Sequence, residues 1–535
     1  MQSYSLTVDK FLDHAAKWSG EREVVTGEAG RVVGRIGYAA LRARANRFSG
    51  ALAALGVKAG EAVGVLAWNS QHHLELQYAA MGAGLVCHTL NPRLTAAHLA
   101  AMVNEADERV LAAACSLTPL LAEIAPLCPR LQHVILLDGD GLAPGVLAIP
   151  NVRVWLYEDL LEAQGAATAW GQFEEETACG LCYTSGTTGR PKGVLYSHRS
   201  NYLHTLRSLQ ADALSLRASD VVMVAVPMFH ANGWGFSFAA PAVGAGLVLP
   251  GRHADGASLT ALMRGEGVTV AAGVHTVWLS VLDHLDAVGG DLPALQRVII
   301  GGSGCPTALI RRMEERLGAY VQTSWGMTEL SPVGTISPPG GPAIEARASG
   351  RPPMGLDLKL TDAEGVALEP QHGAVGHLKV RGASVVDRYF KAQDSALDAD
   401  GWFDTGDLAS IDASGALTIC GRSKDLIKSG GEWINPAEIE DIIGRHPAVG
   451  QVAVIARADP KWGERPVLIV EARQGQDVDA EGLRQSLRGR VPDWWLPDQI
   501  ITVAAMPLAA TGKIDRNQLR ADYLSGDLAT RGFNR

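Results

Sequence analysis

The chain has 535 residues, with 47 Lys+Arg against 57 Asp+Glu for a net charge of −10, and 47% hydrophobic against 19% charged residues. That composition excludes a disordered, collagen-like or coiled-coil chain, and the length provides for several domains with buried cores. A negative chain without a long Lys/Arg run is poorly suited to neutralising a phosphate backbone, so no nucleic-acid partner is expected.

From the N-terminus, Met1 to Glu23 carries Asp9, Lys10, Asp13, Lys17, Glu21, Arg22 and Glu23. It has neither a basic n-region nor an apolar h-region, so no signal peptide is expected. The seven cysteines, Cys87, Cys115, Cys128, Cys179, Cys182, Cys305 and Cys420, are an odd number thinly spread. They suggest reduced thiols and a cytoplasmic location. Cys179 and Cys182 form a CxxC, but no second Cys or His pair stands at ligand spacing, so a buried segment is expected there and not a zinc site.

Short β-branched runs alternate with helical patterns along most of the N-terminal three-quarters, as in Gln296–Ile300 followed by Thr307–Leu317. This alternation predicts parallel α/β sheets. Val221 to Gly251 lacks charge, yet Pro227, His230, Asn232 and Pro241 interrupt it. Strand, loop and helix are predicted there, without a membrane span. The 60 glycines include clusters in loops such as Gly186–Gly193, Gly301–Gly304 and Gly430–Gly431, where backbone could approach a ligand closely.

The pattern changes after Cys420. Asn435 as N-cap, Pro436 at the first helical position and Glu438 three after the cap predict a helix to about Arg445. A strand near Gln451–Arg457, a strand near Pro466–Ala472, a helix near Glu481–Val491 and a strand near Gln499–Val503 follow, then a polar loop into Arg516 onward. The boundary is placed at Gly421–Lys424. The expected division is a domain over residues 1–421, a hinge over 422–424, and a small domain over 425–535.

The most informative run is Tyr183-Thr-Ser-Gly-Thr-Thr-Gly-Arg-Pro-Lys-Gly193. Four aliphatic hydroxyls (Thr184, Ser185, Thr187 and Thr188), Gly186 and a second glycine, and Lys192 can wrap a polyphosphate through hydroxyls, backbone N–H groups and one cation. It is not a Walker A loop, whose Gly-Lys-Ser/Thr ending is missing.

At this point the chain resembles the adenylate-forming acyl-CoA synthetases, relatives of firefly luciferase and of peptide-synthetase adenylation domains. Further matching runs follow in the family's order. They are Val226-Pro-Met-Phe-His-Ala-Asn-Gly-Trp234, Gly301-Gly-Ser-Gly-Cys-Pro306, Gln322-Thr-Ser-Trp-Gly-Met-Thr-Glu329, Trp402-Phe-Asp-Thr-Gly-Asp407, Gly421-Arg-Ser-Lys-Asp425 and Thr511-Gly-Lys-Ile-Asp-Arg516. The resemblance implies an α/β fold: a large N-terminal domain of stacked α/β sheets with a distorted β-barrel, and a small mobile α+β C-terminal domain.

It also implies two half-reactions. A carboxylate attacks the α-phosphate of ATP to give acyl-AMP and pyrophosphate, then the thiol of coenzyme A displaces AMP. By the resemblance, Glu329 would hold Mg2+, Thr328 would touch the α-phosphate, and Gly302 and Ser303 would flank the nucleotide. Trp325 would stack on adenine, Asp407 would accept the ribose hydroxyls, and Arg422 would bind the ribose from the domain junction. Lys513 would bridge carboxylate and phosphate oxygens in the first transition state. The small domain would then turn about Lys424 and present a face of Lys428, Ser429, Gly430, Gly431, Glu432 and Trp433 to the CoA thiol.

His230 matches the family's gate beside the acyl carboxylate. The acyl pocket implied comprises His230, Trp234, Val274, Gly302, Gly304, Gly326, Met327 and Pro332. Its floor is rich in glycine and no Asp or Arg stands in those segments, which favours a hydrophobic monocarboxylic acid. His88-Thr-Leu-Asn-Pro-Arg93, the Phe-His-Ala-Asn-Gly-Trp run and Trp494-Trp-Leu-Pro497 look most like the bacterial branch acting on medium or long fatty acids and methylmercaptopropionate. Aryl-alkanoic and cinnamic-type acids stay open. So do a carrier-loading or luciferase-type adenylating enzyme, a non-catalytic nucleotide-binding relative, and association as a homodimer. His275, Ala509 and His377 depart from the family's usual proline, threonine and glutamate, which bears on loop ordering and domain contacts.

Overall fold

The computed structural model describes residues 1–139, 148–184, 191–302, 304–340, 348–430, 432–473, 475–509 and 514–529. The alternating pattern folds into two large, largely parallel sheets. One has seven strands in the order Arg153–Leu156, His133–Leu136, Val110–Ala113, Ala62–Leu66, Val86–Thr89, Ala178–Thr184 and Lys192–Ser197, the last pair antiparallel. The other has eight strands, with Val333–Ile336, Tyr320–Gly326, Arg297–Ile300, Val270–Gly273 and Val221–Val224 in succession. Gly246–Leu249, Glu23–Glu28 and Arg31–Gly37 complete it, and its two end pairs are antiparallel. Buried strands in such sheets carry apolar residues on both faces, as in the fully buried Val86–Thr89 and Val270–Gly273.

The CxxC lies on Ala178–Thr184 with both thiols buried. Val221 to Gly251 folds as strand, loop, helix and strand. Among the described residues no helix is long and apolar enough to cross a membrane.

The region expected as a distorted β-barrel contains, among the described residues, an antiparallel sheet of four strands: Leu356–Thr361, Val375–Gly382, Phe403–Ile411 and Leu417–Arg422. Bridges at Ile336↔Arg351 and Ala348↔Thr418 run along the connection that joins it to the eight-stranded sheet.

The C-terminal unit is a five-stranded sheet covered on both faces. Along Val449–Asp459 and Gly463–Ala472, Val454, Leu468 and Val470 pack on one face while Ala453, Ile455, Val467 and Ile469 pack on the other. This is the two-residue period of a strand. Asn435 caps the helix Pro436–Ile443 by accepting from the Ala437 N–H.

Two expectations differ. The helix predicted over Glu481–Val491 spans Ala480–Leu487, because Arg488 turns extended at ψ 134° and Gly489 takes φ 70°. The stretch from Arg516, expected as loop, is the helix Arg516–Ser525, with Asp515 accepting from the Asn517 and Gln518 N–H groups. Only Leu519 and Asp522 are buried along it, so it carries almost no apolar period in the sequence.

Candidate active site

The strands on either side of the phosphate-loop run pair antiparallel, with Thr184 opposite Lys192. Ser185, Gly186, Thr187 and Thr188 lie outside the described residues. The exposed Lys192 ammonium stands 4.7 Å from the ring centroid of Tyr389. Beside it, the Phe390 N–H donates to the Gly193 carbonyl at 2.7 Å. A Cβ on Gly193 would stand only 2.9 Å from that of Phe390, so glycine is what permits the approach.

Thr328 and Glu329 occupy a buried turn, 8% and 7% exposed. The helix that follows the phosphate hairpin, His198–Ser208, braces this turn. Tyr196 donates from its hydroxyl to the Thr328 carbonyl at 2.8 Å. His204 Nε2 accepts from the Val333 N–H at 3.0 Å, and burial together with the Arg207 charge keeps that ring neutral. The buried Arg207 guanidinium donates to the carbonyls of Leu330 and Val333, and desolvation pushes its pKa down to about 10. Glu329 itself accepts at Oε1 from the Tyr389 hydroxyl at 2.9 Å, and its carbonyl accepts from the Val386 N–H at 2.9 Å. Burial and the adjacent carboxylate raise the Tyr389 pKa, so the hydroxyl stays protonated and donates.

Sequence reasoning missed Tyr196, His204, Arg207 and Tyr389. His204 and Arg207 stand three apart on one helix face just after the phosphate run, a readable signal of a shared target. Tyr389 has none, being 60 residues from Glu329.

The residues expected around adenosine do meet. The Trp325 Nε1–H donates to Asp407 Oδ2 at 2.9 Å, and Arg422 Nε lies 2.8 Å from Asp407 Oδ1. Asp407 and Arg422 are cross-strand partners, which accounts for their meeting. Trp325 is 8% exposed and packs against Gly334, where a Cβ would fall 2.5 Å from the ring.

A cavity of about 260 Å³ is lined by His230, Trp234, Val274 and Gly302 of the expected acyl pocket, while Gly304, Gly326, Met327 and Pro332 do not line it. Ser303 lies outside the described residues. Trp68, Phe229 and Val277 add apolar wall. Arg93, of the His88–Arg93 run, and Arg252 also line it, both from outside the segments in which the pocket was expected. Asn69, another lining residue, gives its side-chain N–H groups to the carbonyls of Val224 and Val226, each at 2.8 Å, and accepts from the Met228 N–H at 2.7 Å. It thereby holds the loop leading to His230. Gly301 lies between the cavity wall and the strand of Trp325: a Cβ there would stand 3.2 Å from Trp234 and 2.4 Å from Ser324 Oγ.

Trp234 reaches this wall through a left-handed turn. Ala231, Asn232, Gly233, Trp234 and Gly235 have φ of 42°, 47°, 61°, 58° and 80°. Such a run is strained for L-residues and persists where packing over-determines it. Gly235→Ala adds a Cβ at φ 80° and 3.1 Å from His204 Cε1. The expected result is a loss of about 1–2 kcal/mol from the left-handed position, read as a melting temperature lowered by a few degrees. An unchanged melting temperature would contradict it.

On the C-terminal domain, Lys428 pairs across strands with Trp433, and Ser429 with Glu432. Gly430 has φ 61° and lies under Trp462, whose carbonyl accepts its N–H at 2.7 Å. Trp433 and Trp462 are both exposed, and the second was not foreseen. Gly431 and Lys513 lie outside the described residues. Lys424 is exposed, and Ser423 Oγ next to it meets His377 Nδ1 at 3.1 Å, so that departure from the family pattern falls at the junction. His275 begins the helix His275–Val288 and does not line the cavity.

Comparison with known proteins agrees with this geometry. Residues 11–390 match the model of the AMP-binding enzyme family, and residues 438–513 match that of the AMP-binding enzyme C-terminal domain. The chain is 41% identical over 532 residues to a 3-methylmercaptopropionyl-CoA ligase of Ruegeria lacuscaerulensis, covering 98% of each chain. It is 39% identical over 545 residues to a medium-chain-fatty-acid–CoA ligase of Ectopseudomonas oleovorans, covering 99% of this chain and 98% of the other. The ATP-bound crystal structure of MatB from Rhodopseudomonas palustris superposes with a TM-score of 0.85 at 26% identity, over 97% of this chain and 99% of that one.

The chain belongs to the AMP-binding enzyme family. Within it the chain is an AMP-forming acid–CoA ligase, an enzyme whose co-substrates are ATP and coenzyme A.

Proposed function

We propose that the enzyme joins a medium-chain or methylthioalkanoic acid to coenzyme A through an acyl-adenylate. The observation that carries this reading is Gly301, which stands between Trp234 of a largely apolar cavity, also bounded by His230 and Gly302, and Ser324, the strand neighbour of the Trp325 that bonds Asp407. An acid seated with its tail in the cavity would bring its carboxylate to the phosphate side.

In the first step a carboxylate oxygen attacks the α-phosphorus, and the bond to pyrophosphate breaks. The phosphate hairpin with Lys192 receives the β- and γ-phosphates, Thr328 meets the α-phosphate, and Asp407 with Arg422 holds the ribose. Lys513 neutralises charge shared between carboxylate and phosphate. In the second step the small domain turns about Lys424, and the Lys428–Trp433 face guides the thiol to the acyl carbon. The C–O bond to AMP then breaks, and the thiol proton leaves to solvent or phosphate.

Glu329 suits magnesium held mainly by the nucleotide. It is one nearly buried carboxylate with an oxygen already engaged by Tyr389, and the described residues contain no cluster of three or more His, Cys, Asp or Glu. Magnesium takes one or two carboxylates plus phosphates and waters. When bound, the ion would neutralise phosphate charge.

The cavity lies near the lower end of the range for ligand pockets, which favours short and medium tails. The test is AMP and pyrophosphate release with Mg-ATP across methylthio, medium-chain, long-chain and aryl-alkanoic acids, with and without CoA. Turnover to a thioester on the first two groups supports the reading. Pyrophosphate release without thioester would move it to carrier loading. Val277→Trp, which fills the wall, is expected to lower kcat/KM for a C8 acid about tenfold or more relative to a C4 acid, since each buried CH2 contributes about 0.8 kcal/mol. A uniform loss would contradict the assignment of that wall.

A further inference from the structure

Resting on the ligase reading, we propose that Tyr389 is a positioning residue that orients the Glu329 carboxylate and the Lys192 ammonium together. Its hydroxyl donates to Glu329 Oε1 at 2.9 Å, while its ring carries the Lys192 ammonium at 4.7 Å from the centroid. Neither runs through the other partner, so one side chain serves both charges. Glu329 lies on the turn after Tyr320–Gly326 and Lys192 on the outgoing strand of the phosphate hairpin, in two different sheets.

The loop bearing Tyr389 is zipped to both. On the Glu329 side, the Val386 N–H donates to the Glu329 carbonyl at 2.9 Å, and Ser331 Oγ donates to the Ser384 carbonyl at 2.9 Å. On the Lys192 side, the Phe390 N–H donates to the Gly193 carbonyl at 2.7 Å. With the backbone held on either side, Tyr389 has little freedom to leave either partner.

The hydroxyl occupies one lone-pair direction of Oε1, which fixes the plane in which the rest of the carboxylate can meet a cation. The ring face attracts the ammonium and limits where it can swing. Ring and hydroxyl thus make separable contributions, and substitution can remove them one at a time.

The experiment is a thermal-shift titration of the full-length protein. Each variant is titrated with Mg2+ at a fixed concentration of a non-hydrolysable ATP analogue, then with the analogue in EDTA, then with AMP. Tyr389→Phe keeps the ring and removes the hydroxyl. It is expected to raise the half-saturating Mg2+ about tenfold, as loss of a partner to a metal-binding carboxylate does, with AMP binding within twofold of wild type. Tyr389→Leu removes the ring as well. It is expected to weaken the analogue in EDTA a further few-fold, as loss of a cation–π contact does. Half-saturating Mg2+ within twofold of wild type in Tyr389→Phe would overturn the proposal. So would equal weakening of AMP and Mg-analogue, the mark of a fold defect. These readouts need no turnover, so they stand apart from failure of the ligase reading, which would show as absent thioester in the wild type.

Discussion

Glu329→Gln lowers Mg-ATP-dependent pyrophosphate release at least about a hundredfold, the scale set by loss of a preorganised charge partner in a water-poor site. The substitution keeps shape and volume. The backbone of residue 329 still accepts from Val386, and the new amide oxygen can still accept from Tyr389, so the turn holds. The negative charge is what disappears, and at 7% exposure little solvent is at hand to compensate. The assay is pyrophosphate release against magnesium concentration at saturating acid. Unchanged magnesium dependence would remove Glu329 from the metal site.

Lys513→Ala is expected to cost adenylation about two to three orders of magnitude, while thioester formation from supplied acyl-AMP stays within a few-fold of wild type. Lys513 lies outside the described residues, but those on either side are tied to each other: Leu508 bridges Ile514, and the Asp515 N–H donates to the Pro507 carbonyl at 2.8 Å. Arg516, directly beyond, donates to both oxygens of Glu440 at 2.6 Å, and Arg520 reaches Asp425 at 2.8 Å. The segment just after Lys513 is therefore anchored to the body of the small domain near Lys424, and the proposed rotation of that domain would carry it along. A lysine delivered that way serves one orientation only, so equal loss in both half-reactions would refute the role.

Much of the fold was legible. The alternation of strand and helix produced the two large sheets because inner strands such as Val86–Thr89 and Val270–Gly273 bury both faces and so read as short apolar runs. Asn435 and Pro436 announced their helix because cap chemistry is local. The helix Arg516–Ser525 was not legible, since it buries too few apolar residues to leave a period. The early end of Ala480–Leu487 depended on two residues, Arg488 in an extended conformation and Gly489 at positive φ.

By itself the sequence determined the family and the reaction class, and it singled out the phosphate run, Glu329, Trp325, Asp407 and Arg422 as candidates. Each belongs to a short contiguous run whose chemistry is carried by residue type and spacing. Only the tertiary structure decided what surrounds them: Tyr389 on Glu329, His204 and Arg207 under the turn, Asn69 on the loop of His230, and two arginines in the cavity wall. Those partners come from 60 residues away for Tyr389 and 159 for the Asn69–Met228 bond. Such pairings are set by how sheets stack and loops cross. A hydrogen bond between distant segments leaves no trace in the local order of side chains.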